Sequence, residues 1–274
     1  TLENLTLDNT LSYVKFSSVA IGSFCFENCQ SLASITILSN LYFLNFGCFK
    51  NCQSLTSITI PDTVCLIDSF CFCNCYSLKS IIIPYKVRTI SWSCFCSCKS
   101  LESITIKGNV TSLESECFSK CSSLLSIKLP ESLINISYNC FEGCISLKFI
   151  DIPNNVTKIG DGCFSYSNLT SIRIGKNVKN IGKSAFAFCP NLREIEVSKS
   201  NKNYTIKEGA LYTKNLTNLI KVPNNVSTFK IHDKVSIIQD YCFSDCFYIK
   251  NIEIPETITY IGKYSFYNLP NLGP

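Results

Sequence analysis

The chain has 274 residues, of which 46% are apolar and 16% charged. That length exceeds the roughly 100–200 residues usual for one globular domain, and the composition excludes intrinsic disorder. No apolar run reaches the roughly 18 residues that a membrane-crossing helix needs, so no membrane insertion is expected here. The net charge of +5 has a single origin. Residues 1–137 balance nine basic against nine acidic side chains, whereas residues 198–235 carry Lys199, Lys202, Lys207, Lys214, Lys221, Lys230 and Lys234 against Glu208 and Asp233. With only three arginines and no continuous basic stripe, a nucleic-acid partner is not expected. The lack of methionine and of a basic-then-apolar leader predicts a segment of a longer polypeptide.

In chain order, Leu2-x-x-Leu5-x-Leu7 predicts one strand before an irregular connection. A repeat then takes over. Phe26, Phe49, Phe72, Phe95, Phe118, Phe141 and Phe164 fall at a strict spacing of 23; Phe186 follows after 22, Phe243 after a long gap, and Phe266 after 23 again. One frame reads Phe49-Cys52-Leu55-Ile58-Ile60, then Pro61, Val64 and Ile67; another reads Phe141-Cys144-Leu147-Ile150-Ile152, then Pro153, Val156 and Ile159. A fixed period of this length marks a stacked-repeat architecture.

Each period has a physical reading. In Ile58-Thr59-Ile60 the apolar residues alternate, as on a strand with one buried face. Pro61, Pro84, Pro130, Pro153 and Pro255 lack an N–H and end that strand. Val64-x-x-Ile67 supplies a second, shorter apolar edge, and Cys-Phe-x-x-Cys predicts a single helical turn. Stacking buries what one coil cannot, so the ten Phe are expected in one column. About ten coils spaced by about 4.8 Å give a length of roughly 50 Å. The last coil ends soon after its core begins, which predicts a missing terminal cap.

The pattern Ile-x-Ile-Pro-x-x-Val-x-x-Ile-Gly-x-x-x-Phe-x-x-Cys-x-x-Leu resembles the BspA-like leucine-rich repeats of surface proteins in bacteria and protozoan parasites. Residues 147–169 carry it most fully, and the resemblance covers about 21–272. It implies a leucine-rich-repeat solenoid with a parallel β-sheet on its concave side and short turns or helical turns on its convex side. It also implies adhesion to host matrix proteins or other cells. Two departures stand out. Cysteine replaces the usual Ala before the Phe in eight of ten frames, and the broader family's Asn appears only at Asn40, Asn109, Asn155 and Asn177, so no regular asparagine ladder is expected.

Between Phe186 and Phe243 lie about 34 residues beyond one repeat. Asn203-Tyr204, Gly209-Ala210-Leu211-Tyr212 and Leu219-Ile220-Lys221-Val222-Pro223 have alternating runs of their own, which predicts an inserted β-hairpin-like island at about 198–235 within a single domain 1–274. The island reads either as a structural spacer or as a lysine-rich contact platform.

Sixteen of the nineteen cysteines lie in two columns, one just before the Phe and one three residues after it; Cys65, Cys73 and Cys96 lie outside them. These columns read as buried reduced thiols acting as small apolar groups, with cross-coil disulfides or metal as the alternatives. The one histidine, His232, lies outside both columns. A lone histidine supplies no nucleophile–base pair, so neither catalysis nor a cofactor is expected.

Function is left to the outward positions of the strand ladder. Thr36, Thr59, Ile82 and Thr105 are bland, and departures begin at Lys128, Phe149, Asp151, Arg173, Glu194 and Glu196. Those six are the first candidate binding site, and Lys199, Lys202, Lys207, Lys214 and Lys221 of the island are the second. The expected role is a non-catalytic cell-surface adhesion or ligand-binding module for matrix or cell-surface proteins. The alternative is an intracellular structural scaffold.

Overall fold

The computed structural model describes residues 13–16, 20–37 and 41–273; the strand expected at Leu2–Leu7 lies outside them. The chain winds as a parallel β-solenoid of about ten coils. The Ile-x-Ile segments stack along one side of the solenoid in four short parallel sheets, in which Ile35 faces Ile58, Ile81 faces Ile104, and Ile150 faces Ile172, which in turn faces Ile195. A second ladder of two-residue strands joins Thr89–Ile90, Ser112–Leu113, Asn135–Ile136, Lys158–Ile159 and Asn180–Ile181, again in parallel.

The third side is a stack of turns, and the helical turn expected at Cys-Phe-x-x-Cys does not form. Two hydrogen-bond sets alternate along it. Glu27 N and Cys29 N donate back to Phe24 O and Phe26 O, at 3.0 and 3.2 Å. Phe26 N and Asn28 N donate instead to Cys48 O and Lys50 O of the next coil, at 2.8 and 2.9 Å. An α-helix is about 10 Å wide and cannot stack at a strand spacing of about 4.8 Å, whereas a turn that spends every second N–H on its neighbour can. The conformation needs left-handed residues, and Asn28, Asn51 and Asn74 take that place with φ of 61–64°. Their amides also form a ladder: Asn51 donates to Asn28, and Asn74 to Asn51, each at 2.8 Å. An asparagine ladder therefore exists, two residues after the Phe and not at the positions read from the broader family.

The core fills the space between the three sides. Phe26 to Phe186 form one continuous stack with ring centroids 5.2–5.9 Å apart. The expectation of ten Phe in one column fails at the island. Val222 takes the Phe position there, its N–H donating to Cys242 O just as Phe49 N donates to Cys71 O, and Phe243 and Phe266 start a second stack. The island itself is a three-stranded antiparallel meander, Tyr204–Lys207, Ala210–Thr213 and Asn218–Lys221, whose last strand rejoins the short ladder beside Ile237–Ile238. Leu211 faces the core before the island, while Ala210 and Tyr212 face the core after it. The insert is thus a wedge buried on two sides. Residues 222–235 belong to the coil that follows, with Thr228–Lys230 back in the long ladder.

Sixteen of the nineteen free thiols are buried. The column after the Phe does more than fill space: Cys52, Cys75, Cys98, Cys121 and Cys144 donate from Sγ to the Phe carbonyl of the preceding coil at 3.0–3.2 Å. Burial pushes Cys48, Cys71, Cys94 and Cys163 of the first column, and Cys75 and Cys121 of the second, well above the ordinary thiol value of 9.0.

Phe118→Ala should cost about 3–5 kcal/mol in urea unfolding, as an emptied aromatic core site does; a loss below about 1 kcal/mol would contradict the stacked column. The thiols predict alkaline lability. Above pH 9.0 the unfolded chain releases protons that the native chain retains, so stability falls as pH rises. The slope is about 1.4 kcal/mol per pH unit for each retained thiol. A melting temperature that is flat from about pH 8 to 10.5 would refute this.

Candidate functional site

Parallel register turns sequence-distant charges into neighbours. Asp151, Arg173 and Glu196 occupy equivalent outward positions of three successive long strands. Arg173 Nη1 lies 3.1 Å from Asp151 Oδ2, and its Nε lies 2.9 Å from Glu196 Oε2. Hydrogen bonding to Glu196 and the charge of Asp151 hold the guanidinium firmly protonated. The Phe149 ring lies 5.9 Å from the guanidinium carbon, at cation–π distance. All four side chains are exposed, and the ion pairs therefore add little stability.

Glu194 stands exposed in the adjoining row, in register with Ser171 and Phe149. Lys128 is exposed one coil earlier, and among the described residues no ion pair includes it. Beside the triad runs a groove lined by Glu131, Pro153, Asn154, Gly175, Ser198 and Lys199. Gly175 stands where the preceding coil has Pro153, and a Cβ there would come within 2.5 Å of the Pro153 carbonyl. Only glycine lets the chain pass that close to the groove wall.

The island lysines do not form one platform. Lys199 lines the groove beside Arg173, Lys207 is half-buried on its strand, and only Lys202 and Lys214 share a cleft, together with Lys179. Lys221 is a correction: it is buried at 1% exposure and belongs to no exposed surface. It occupies the position before Val222 that cysteine holds in regular coils. From there its ammonium donates to Ser244 O at 3.0 Å, Tyr241 O at 3.3 Å and Ser244 Oγ at 3.4 Å.

Three features escaped the sequence reading. Lys230 pairs with Glu253 at 3.3 Å and continues the outward row beyond the island; the spacing Ile231-Val235-Ile238-Phe243 repeats Ile60-Val64-Ile67-Phe72 and could have placed it. Phe24, Phe46, Phe70 and Trp92 form a chain of ring contacts at 4.6–5.3 Å along the turn edge. Phe188, Tyr241, Tyr264 and Tyr267 make a second aromatic cluster across the island seam. His232 accepts the Lys234 N–H on Nδ1 at 3.1 Å. Among the described residues no group of three His, Cys, Asp or Glu is placed to hold a metal ion.

A rigid parallel solenoid with an ordered charged and aromatic row defines the class, a leucine-rich-repeat protein. The chain belongs to the BspA-type leucine-rich-repeat family, whose model matches in six copies over residues 1–125, 111–230 and 223–273. Such repeats are typically non-enzymatic binding repeats. A leucine-rich repeat protein from Eubacterium ventriosum is 29% identical, with a TM-score of 0.68 over 72% of this chain and 53% of that one. A leucine-rich cell surface protein from Faecalibacterium prausnitzii is 27% identical, with a TM-score of 0.51 over 96% and 59%. The pneumococcal vaccine antigen PcpA shares the fold at 19% identity and a TM-score of 0.62 over 93% and 55%. The chain thus spans little more than half of each. No curated protein matches it significantly.

Lys221→Met should destabilise the protein by about 1–3 kcal/mol, because it leaves the buried Ser244 carbonyl without its donor. Lys214→Met, at an exposed lysine, should stay within about 0.5 kcal/mol of the parent. Equal urea midpoints for the two variants would show that the buried ammonium is not a staple.

Proposed function

We propose that this chain is a non-catalytic binding module displayed at the cell surface, holding a matrix or cell-surface protein against the outward side of its long-strand ladder. The observation that carries this reading is the Asp151–Arg173–Glu196 row with Phe149 beside it. It is here that the Ser/Thr background of the earlier coils gives way to charges paired across coils. A rigid sheet needs little ordering on association, so less entropy is lost than at a mobile loop. Asp151 and Glu196 outnumber the Arg173 they share, so this triad is net acidic and suits a lysine- or arginine-bearing partner. The cell-surface name of the Faecalibacterium prausnitzii neighbour supports the location.

The test is a variant reversing Asp151, Arg173 and Glu196 together, assayed against matrix proteins and host cells, with circular dichroism to check the fold. Binding should be lost, whereas Thr59→Ser with Thr105→Ser should change it by less than about twofold. Binding to the parent should weaken as salt rises. Unchanged binding by the reversed variant would remove this row from the mechanism and move attention to Lys179, Lys202 and Lys214.

A further inference from the structure

Cys65, Cys73 and Cys96 stand outside the two thiol columns. Cys73 follows Phe72 and Cys96 follows Phe95, and those two rings stack 5.3 Å apart with only 3° between their planes. Cys73 is clamped on either side by hydrogen bonds to the next coil: Phe72 N to Cys94 O and Asn74 N to Cys96 O, both 2.8 Å. Equivalent residues in neighbouring coils are therefore in register, with Cα atoms about 4.8 Å apart. That lies inside the roughly 4.4–6.8 Å that a disulfide spans.

The same position elsewhere shows that its side chains reach across coils. Glu27 and Lys50 hold it in the first two frames and form an ion pair of 3.0 Å. Ser119 and Glu142 hold it later and hydrogen-bond at 3.0 Å. Cys65 has no such option, because Tyr42 and Arg88 stand one coil away on either side.

We propose that Cys96 and Cys73 form a thiol–disulfide exchange site on the turn face, with Cys96 as the attacking sulfur, Cys73 as the resolving one, and low-mass disulfides of the glutathione class as substrate. Cys96 is half-buried and reachable, while Cys73 is covered at 7% exposure. The Cys73 thiol donating to the Cys96 sulfur pulls Cys96 down to about 7, and the Ser97 hydroxyl, 3.7 Å from it, adds to this against the cost of burial. Glu116 opposes the shift and Lys120 favours it. Cys73 is pushed up, because its proton is the one that holds the Cys96 thiolate.

The exchange balances without any further reagent. The Cys96 thiolate attacks one sulfur of oxidised glutathione; its S–S bond breaks, a mixed disulfide forms on Cys96, and one glutathione thiolate leaves. With the Cys96 charge gone, nothing holds the Cys73 proton, which passes to solvent or to the departing thiolate. Cys73 then attacks the Cys96 sulfur and expels the second glutathione. Two protein thiols are oxidised to one disulfide while one glutathione disulfide is reduced to two thiols. The product staples two adjacent coils that are already in register.

The experiment treats the folded protein with oxidised glutathione near neutral pH and maps non-reduced peptides by mass spectrometry. A Cys73–Cys96 linked peptide should be the dominant product, with seventeen of the nineteen thiols still titratable after denaturation. Cys73→Ala should instead accumulate a stable glutathione adduct on Cys96. It should also move the pH midpoint of Cys96 alkylation from about 7 up toward the ordinary thiol value of 9.0. Unchanged dichroism in that variant keeps the comparison valid. Adducts confined to Cys65, a linked peptide from the buried columns in preference to 73–96, or an alkylation midpoint that does not move in Cys73→Ala would each overturn the proposal.

Discussion

The spacing of parallel strands, about 4.8 Å, governs everything else in this molecule. Each side chain meets its equivalent in the next coil at that distance, so a position must hold groups that tolerate their own kind or alternate in sign. Phenylalanine stacks on phenylalanine. Asparagine carries a donor and an acceptor and bonds to itself, as Asn74 does to Asn51. A thiol is small enough to fit and donates to the carbonyl one coil back. Like charges directly opposite are destabilising, and several charged pairs here alternate in sign from coil to coil: Glu27 with Lys50, Asp151 with Arg173 and Glu196, Lys230 with Glu253.

The island keeps this spacing across an insertion by replacing stacked apolar groups with polar staples. Asn201 donates to the Gly175 and Val178 carbonyls, and the Tyr204 hydroxyl to Lys179 O. Asn224 donates to Cys189 O, and Lys221 reaches forward to Ser244. Each bond spans one coil boundary that Phe186 and Phe243 no longer hold by stacking. Above the seam Phe188 touches both Tyr241 and Tyr267 and closes the turn edge over it. A spacer that is itself hydrogen-bonded into both neighbours transmits coil register and does not act as a hinge.

The coil period, the parallel pairing and the buried columns were legible in the sequence because they are one-dimensional facts about spacing. What was not legible depended on the neighbouring coil. The turn over Cys-Phe-x-x-Cys has apolar spacing compatible with a helical turn, and only the stacking distance rules the helix out. Lys221 looked like one more exposed lysine. Its burial follows from Val222 standing in the Phe position, which could be recognised only once the meander had been counted as part of a coil. Asp151, Arg173 and Glu196 were legible as outward residues, yet their union through one guanidinium is a property of register and rotamer.

That union bears on how such a surface distinguishes partners. Unpaired charges on a flat sheet would each adopt several rotamers and offer a diffuse field. Here Arg173 lies between Asp151 and Glu196 and beside the ring of Phe149, which gathers the charges of three coils into one cluster. Exposed pairs of this kind contribute little to folding, because the entropy lost in holding the side chains together offsets most of the attraction. Under the proposed function, a partner bringing cations at the matching spacing would meet carboxylates already gathered on one face. One with the wrong spacing or sign meets the repulsion of an ordered row, which is how charge yields selectivity more than raw affinity.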